Sequence, residues 1–172
     1  MAGYKMSKQK IFSLPVRVYF QDTDAGGVVY HASYVNFMER ARTEWLRTHG
    51  YSNAGLMKEF GVVFVVRTLK LDYLRPALLD DLLEVTAQIK EIGRSRLNLV
   101  QSVRRRHGVA EQSGREPSLR TDTSCGGYYM HESEERRGDE VLTEAEVHLV
   151  CVSVSNFKPV SVPEVLSRQL KK

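Results

Sequence analysis

The sequence predicts an α+β fold in which one long amphipathic helix covers one face of an antiparallel sheet. Apolar residues recur at helical spacing before Gly50, and from Val62 onward the hydrophobic period changes to two. Alternation of apolar and polar residues is typical of antiparallel strands with one covered face. Because a strand, a long helix and then a run of strands follow in that order, these elements favour α+β over alternating βα units.

The first predicted strand runs from Leu14 to Phe20 and is rich in valine and aromatic residues. Residues 1–10, which precede it, are polar and basic and are expected to form a frayed tail. The sequence QDTDAGG, from Gln21 to Gly27, follows the strand directly. Its two aspartates and two glycines predict a sharp turn.

The long helix follows this turn and is expected to stop at Gly50, a residue type that favours helix C-termini. Ser33 or Asn36 is expected to cap its N-terminus. Its apolar stripe consists of Tyr34, Phe37, Met38, Ala41 and Trp45. A short second helix is predicted from Asn53 to Phe60.

Four further strands are predicted after this helix, because apolar and polar side chains alternate along each. They run from Val62 to a stop at Pro76, from Leu83 to Lys90, from Arg96 to Arg104, and from Thr143 to Cys151. Gly93 marks the turn between the second and third of them.

The segment 107–139 is polar and charged, and it separates two strands that would otherwise form a hairpin. Hairpin loops normally have about two to five residues, so this segment is interpreted as an insertion with a mobile surface. Tyr128, Tyr129 and Met130 within it are a candidate docking patch, and an ordinary surface loop is the alternative.

The composition describes a chain of 172 residues, expected to form a single domain over 1–172. A net charge of +4 is too mild for the dense basic surface of a nucleic-acid-binding protein. No run approaches the ~20 apolar residues that span a bilayer, and no apolar signal region follows the basic N-terminus, so a cytoplasmic location is expected. Cys125 and Cys151 have neither disulfide-framework nor metal-site spacing.

The turn and the helix start together offer both halves of an acyl-transfer site. A carboxylate in the turn, from Asp22 or Asp24, is able to move a proton or attack a carbonyl. Backbone N–H groups at the helix start are able to hold a developing negative charge. From spacing alone, an Asx-turn with no chemical role for Asp24 is equally open.

These residues are similar to a known family. Its most specific matches are VRVYFQDTDAGGVVYHASYVNFMERARTEWL (Val16–Leu46), LDYLRPALLDDLLEV (Leu71–Val85) and EAEVHLVCV (Glu144–Val152). On them the chain resembles the hotdog-fold thioesterases of the 4-hydroxybenzoyl-CoA thioesterase type, and most of all the YbgC-like acyl-CoA thioesterases associated with the Tol–Pal envelope system. The resemblance covers about residues 12–106 and 140–165, and the insertion departs from it.

The resemblance implies a long central helix wrapped by a curved antiparallel sheet, and hydrolysis of acyl-CoA or acyl carrier protein thioesters. It also implies a homodimer or homotetramer with active sites at the subunit boundary. Neither a metal nor a cofactor is expected, since the CoA thioester is the substrate. Weak association with the inner membrane or with lipid-synthesis enzymes is a further expectation.

By the same resemblance, Asp24 is the catalytic carboxylate, acting either as nucleophile on the thioester carbonyl or as general base on water. The backbone N–H of His31 is the expected oxyanion donor, and its imidazole is a candidate for proton transfer, although a structural histidine is the alternative. Glu39, on the helix, is the second-choice acid, and a solvated helix face is the favoured alternative for it.

The remaining site residues are expected to shape the turn and bind substrate. Asp22 is expected to hold the turn through backbone N–H groups, and Gly26 and Gly27 to supply positive φ. Tyr30 is expected to form a pocket wall. Arg94, Ser95 and Arg96 occupy the turn where related enzymes contact the nucleotide, and an ordinary charged hairpin turn is the alternative.

Three other functions compete with hydrolysis. A non-catalytic acyl-binding or scaffold protein would suit the insertion and the mild basicity. A calcium loop is suggested by D-x-D-x-G, but counting twelve residues from Asp22 reaches Ser33 instead of the required glutamate. A dehydratase remains possible because fold does not fix chemistry.

Overall fold

The computed structural model describes residues 11–106, 128–130 and 140–170. The strands are β1 (Ile11–Arg17), β2 (Val62–Tyr73), β3 (Leu82–Ile92), β4 (Arg96–Arg105), β5 (Tyr128–Met130) and β6 (Glu140–Ser153). The helices are α1 (His31–Thr48), α2 (Asn53–Phe60) and α3 (Glu164–Gln169). The strands form a six-stranded antiparallel sheet in the order β2-β6-β4-β3-β1-β5, which confirms the predicted α+β class.

Helix α1 packs on β1, β3 and β4 and forms the core with them. Every member of the predicted apolar stripe is buried: Tyr34, Phe37, Met38, Ala41 and Trp45. Burying a side chain as large as Phe37 or Met38 stabilises a fold by roughly 1.5–3 kcal/mol. Among the described residues, no helix is long and apolar enough to cross a membrane.

The start of α1 differs from the prediction that Ser33 or Asn36 caps it. The helix begins at His31, with Tyr30 as N-cap residue and no side-chain cap. Ser33 already lies inside the first turn, because its N–H donates to the Tyr30 carbonyl at 2.8 Å. Its hydroxyl instead donates to the Asp22 carbonyl at 3.1 Å, so Ser33 ties the helix to the preceding turn.

Helix α2 has the predicted bounds and both of its ends are capped. The Ser52 hydroxyl accepts a hydrogen bond from Gly55 N at 3.0 Å, and such a cap stabilises a helix by typically ~1 kcal/mol. Gly61 ends the helix with a left-handed φ of 62°, a conformation that costs glycine little. Strand β2 starts at the next residue.

The first strand covers Ile11–Arg17 and not Leu14–Phe20. Phe20–Asp22 form a 3₁₀ turn, which the Asp22 carboxylate closes by accepting from Tyr19 N at 2.9 Å. The aromatic residues that favoured a strand here are therefore in the turn, where Phe20 is 83% exposed.

The interpretation of 107–139 as mobile surface is wrong for Tyr128–Met130, which pair with β1 as a sixth strand. The rest of that segment lies outside the described residues, as do the expected tail at 1–10 and Cys125. Cys151 is a buried free thiol whose burial raises its pKa to about 11.

Candidate active site

The turn after β1 is fixed to the start of α1 through Asp22. This residue is buried, and its carboxylate accepts from Tyr19 N at 2.9 Å. Its carbonyl accepts from Tyr30 N at 2.8 Å and from the Ser33 hydroxyl at 3.1 Å. The carboxylate of Asp22 is thus engaged in shaping the turn, and its backbone joins the turn to the helix.

Asp24, two residues further on, is exposed to solvent. Its Oδ1 accepts from Gly26 N at 2.8 Å, which is the Asx-turn that spacing alone allowed. Its backbone N–H donates to the Val28 carbonyl at 3.0 Å. Within the part of the chain that the structure describes, Oδ2 has no hydrogen-bond partner, so the turn orients this carboxylate and leaves one oxygen available.

The two glycines of the turn serve different purposes. Gly27 has a φ of 74°, as predicted. Gly26 does not have a positive φ, so that expectation is wrong for this residue. A Cβ at Gly26 would lie 3.0 Å from Asp24 Oδ1, and glycine is suited to this position because it leaves room for the carboxylate.

His31 is exposed at the first position of α1. In the described residues, its backbone N–H meets no acceptor, as expected for the first turn of a helix. The Tyr73 hydroxyl donates to its carbonyl at 2.9 Å, and the Tyr30 ring lies 4.2 Å from its imidazole, centroid to centroid. The N–H is therefore left without an acceptor in the described residues, at the positive end of the helix dipole.

A segment that the sequence analysis did not assign to the site also contacts this turn. Val29 N donates to the Ala77 carbonyl at 2.9 Å, and Val28 pairs with Leu78 as an isolated bridge. Ala77 N donates to the Tyr34 hydroxyl oxygen at 2.8 Å, and burial raises the pKa of Tyr34. The sequence marked this region through Pro76, as the end of a strand, and through the Leu71–Val85 match, but neither assigned it to the site.

The Arg94–Arg96 turn lies at the other end of the sheet from Asp24. Leu82 at one end of β3 pairs with Arg17 next to the 20–30 turn, whereas Arg94 follows the other end. Since β3 has 11 residues, the strand that separates the two turns is up to roughly 35 Å long at about 3.3 Å per residue. Within one chain these residues and Asp24 do not form a single site.

Internal hydrogen bonds hold this distant turn. Arg94 Nε donates to the Ser161 hydroxyl at 3.1 Å, and the Ser95 carbonyl accepts from Cys151 N at 2.9 Å. Gly93 N donates to the Arg96 carbonyl at 2.9 Å and closes the turn. Arg94 and Arg96 are both exposed, so their charges remain accessible to an anion.

A pocket of about 140 Å³ lies between α1, α2 and the sheet. Its apolar lining includes Phe64, Val66, Leu97, Leu99 and Leu149. Glu39, the second-choice acid, is on its polar rim, where its Oε1 accepts from the Thr43 hydroxyl at 2.8 Å. Glu39 lies more than two helical turns along α1 from His31, away from the Asp24 turn.

Comparison with known proteins finds a family match over half of the chain. The Thioesterase superfamily model matches residues 26–111, from the turn glycines to just beyond β4. The acyl-CoA thioester hydrolase YbgC of Escherichia coli is 40% identical over 161 residues, which cover 94% of this chain and 96% of that protein. The acyl-CoA thioesterase YbgC of Haemophilus influenzae is 38% identical, with 89% of each chain covered.

A solved structure has a similar fold over its whole length. The probable thioesterase from Bartonella henselae superimposes with a TM-score of 0.65 at 29% identity. The match covers 88% of this chain and 99% of that one.

Proposed function

The chain belongs to the thioesterase superfamily and has its hotdog fold, and from this premise we propose that it hydrolyses acyl-CoA to a free acid and CoA. The observation that carries the proposal is the Asp24 carboxylate, exposed and oriented by Gly26 N in a turn fixed to the start of α1. The names of the relatives support a CoA thioester as substrate, and acyl carrier protein is the alternative carrier.

In the proposed reaction, the thioester carbonyl oxygen lies at the open N–H of His31, where the helix start stabilises the developing negative charge. Such a donor is typically worth ~2.7–4 kcal/mol in the transition state. Asp24 then follows one of two routes. As nucleophile it adds to the carbonyl and expels the thiolate, and water hydrolyses the resulting anhydride; as general base it takes a proton from the attacking water.

We assign supporting roles to the neighbouring residues. Asp22, Gly26 and Gly27 shape the turn, because their contacts all lie within it or at its junction with α1. Tyr30 is 45% exposed beside His31 and is placed to form a pocket wall, while the exposed His31 imidazole is available for proton transfer.

We also propose that two copies of the chain complete the site. Arg94, Ser95 and Arg96 are too far from Asp24 to share a substrate within one chain, so their proposed contact with the carrier phosphates requires a second subunit. A homodimer or homotetramer provides one. The proposed location is the cytoplasm, with weak inner-membrane or lipid-synthesis association.

The test of the proposed reaction is Asp24→Asn, which keeps the side-chain size and one oxygen to accept from Gly26 N. We expect kcat for acyl-CoA hydrolysis to fall by about 10²–10⁴-fold, the range of a lost acid–base group, with little change in melting temperature. Thiol release across a series of acyl chain lengths is the measurement.

The matched control is Asp72→Asn, which removes an exposed carboxylate of β2 that pairs with Lys70. It is expected to retain wild-type turnover. Near-wild-type rates in Asp24→Asn would reject the assignment of Asp24.

The competing function is a non-catalytic acyl-binding or scaffold protein, motivated by the insertion and the net charge of +4. In that case acyl-CoA would bind and persist for hours, so measured thiol release by the wild-type chain excludes it. For the calcium-loop hypothesis, the described residues contain no group of three or more His, Cys, Asp or Glu side chains placed to hold a metal ion.

A further inference from the structure

We propose that Arg105, at the end of β4, is a positioning residue for the Asp24 turn. Its guanidinium binds three acceptors on separate parts of the chain. Nε donates to Asp81 Oδ2 at 2.9 Å, Nη2 donates to the Pro76 carbonyl at 2.6 Å, and Nη1 pairs with the Glu140 carboxylate at the start of β6. Arg105 thereby hydrogen-bonds both ends of the 76–81 segment to the sheet.

The 76–81 segment is the same one that supports the catalytic turn. Between its two fastened ends lie Ala77, which accepts from Val29 N at 2.9 Å, and Leu78, which bridges Val28. Leu78 N also donates to Asp81 Oδ2 at 2.7 Å, the oxygen that binds Arg105 Nε. These three contacts therefore connect the Arg105 guanidinium, through the 76–81 segment, to the Val28–Val29 backbone that follows Asp24.

The chemistry of the contact requires arginine. The side chains of Arg105 and Asp81 are each 19% exposed, and Glu140 is 23% exposed, so the group is largely removed from water. A planar guanidinium with five fixed donors is able to serve a carbonyl and two carboxylates at once. Lysine would keep the charge but not this geometry.

The next residue provides a matched control. Arg106 forms a similarly buried ion pair with Glu84 on β3, at 2.9 Å, with side-chain exposures of 22% and 10%. Its side chain makes no hydrogen bond or ion pair with the 76–81 segment among the described residues. Replacing Arg106 therefore removes an ion pair of comparable burial. It leaves the contacts of Arg105 with the 76–81 segment, and of that segment with the turn, in place.

The first test compares turnover of Arg105→Gln and Arg106→Gln. We expect Arg105→Gln to lower kcat roughly 10- to 100-fold, the loss that a displacement of about 1 Å produces at a catalytic group, while KM changes by less than about threefold. Arg105→Lys is expected to recover part of the loss, and Arg106→Gln to stay near wild type. Equal kcat values for Arg105→Gln and Arg106→Gln would overturn the proposal.

The second test does not use activity, because the turnover test rests on the proposed function. Hydrogen exchange of the Val29 and Leu78 amides reports opening of the contact between the turn and the 76–81 segment. In Arg105→Gln we expect exchange at least about tenfold faster at both amides, with the amides at the Ile92 end of β3 unchanged, and no such change in Arg106→Gln. Unchanged exchange in Arg105→Gln rejects the positioning role.

These two readouts separate the two proposals. Faster exchange together with an inactive wild-type enzyme would reject the proposed hydrolysis and keep the positioning role. If Arg105→Gln does not fold, Asp81→Asn tests the same contact, since it removes the charge and retains an oxygen for Leu78 N. It is expected to shift both readouts in the same direction by a smaller factor, and wild-type values in both would reject the role.

Discussion

At the scale of single residues, the two aspartates of the turn illustrate how position separates similar side chains. Asp22 is 6% exposed and its carboxylate closes the 3₁₀ turn, whereas Asp24 is exposed and has one oxygen without a partner. In sequence they differ only by their place in D-x-D. Their separation arises because the Asp22 backbone is bound to the first turn of α1, which fixes the buried side of the loop.

Gly26→Ala tests whether the orientation of Asp24 matters independently of its charge. The new Cβ would lie 3.0 Å from Asp24 Oδ1, so the carboxylate must shift by a few tenths of an ångström from its position at Gly26 N. Because the displaced atom is the end of an exposed side chain, we expect the free energy of unfolding to change by less than about 1 kcal/mol. We expect kcat to fall by roughly tenfold or more, measured as thiol release.

Gly55→Ala is the matched control for this substitution. Its Cβ would lie 3.1 Å from the Ser52 hydroxyl oxygen, so it crowds a hydrogen-bonded oxygen in the same way, but in α2. Turnover of Gly55→Ala is expected to be unchanged. If Gly26→Ala and Gly55→Ala have the same kcat, the orientation of Asp24 by the turn has no catalytic value.

At the scale of elements, the contact between α1 and the sheet contains a buried polar connection. Gln101 on β4 is 3% exposed, and its Nε2 donates to the Met38 and Thr86 carbonyls at 3.1 Å each. Its Oε1 accepts from Arg42 Nη1 at 2.8 Å, and burial lowers the pKa of Arg42. One side chain therefore joins the helix to two strands at a defined position.

Gln101→Ala is expected to destabilise the protein by about 2–4 kcal/mol. It leaves a cavity and removes the neutral acceptor of a largely buried guanidinium, and both effects cost free energy. Urea unfolding measures the free energy directly. Gln88→Ala, at a half-buried position of β3, is the control and is expected to lower the free energy of unfolding by less than about 1 kcal/mol. Equal losses of unfolding free energy in the two variants would contradict a stabilising role for the Gln101 connection.

The elements that the sequence predicted correctly depend on local periodicity. The apolar stripe of α1 and the bounds of α2 follow from residues close in sequence, and the structure confirms both. The 76–81 segment was missed as part of the site because its bonds to Val29 and Arg105 join residues far apart in the chain. Likewise, the prediction that Ser33 caps α1 failed because its hydroxyl bonds to a distant partner, Asp22, that no local pattern reveals.

At the scale of the whole molecule, β2 is the edge that most needs a partner. It has 12 residues, and among the described residues it pairs only with β6. Val66 and Tyr73, both about half exposed, lie along it. A long uncovered edge strand is a template for pairing with another chain, and proteins normally cover such an edge. A second copy at β2 would also supply the separate Arg94 turn that the proposed site requires.

Val66→Lys tests this assembly by placing a charge on the exposed apolar part of β2. We expect the wild-type chain to have at least twice the mass of its 19.6 kDa monomer in light scattering at micromolar concentration, and the variant to shift toward monomer. Since the carrier contact proposed for Arg94 comes from the partner, KM for acyl-CoA is expected to rise with dissociation. Val165→Lys, a similarly exposed valine on α3, is expected to keep the wild-type mass; a monomeric wild type with full activity would contradict a shared site.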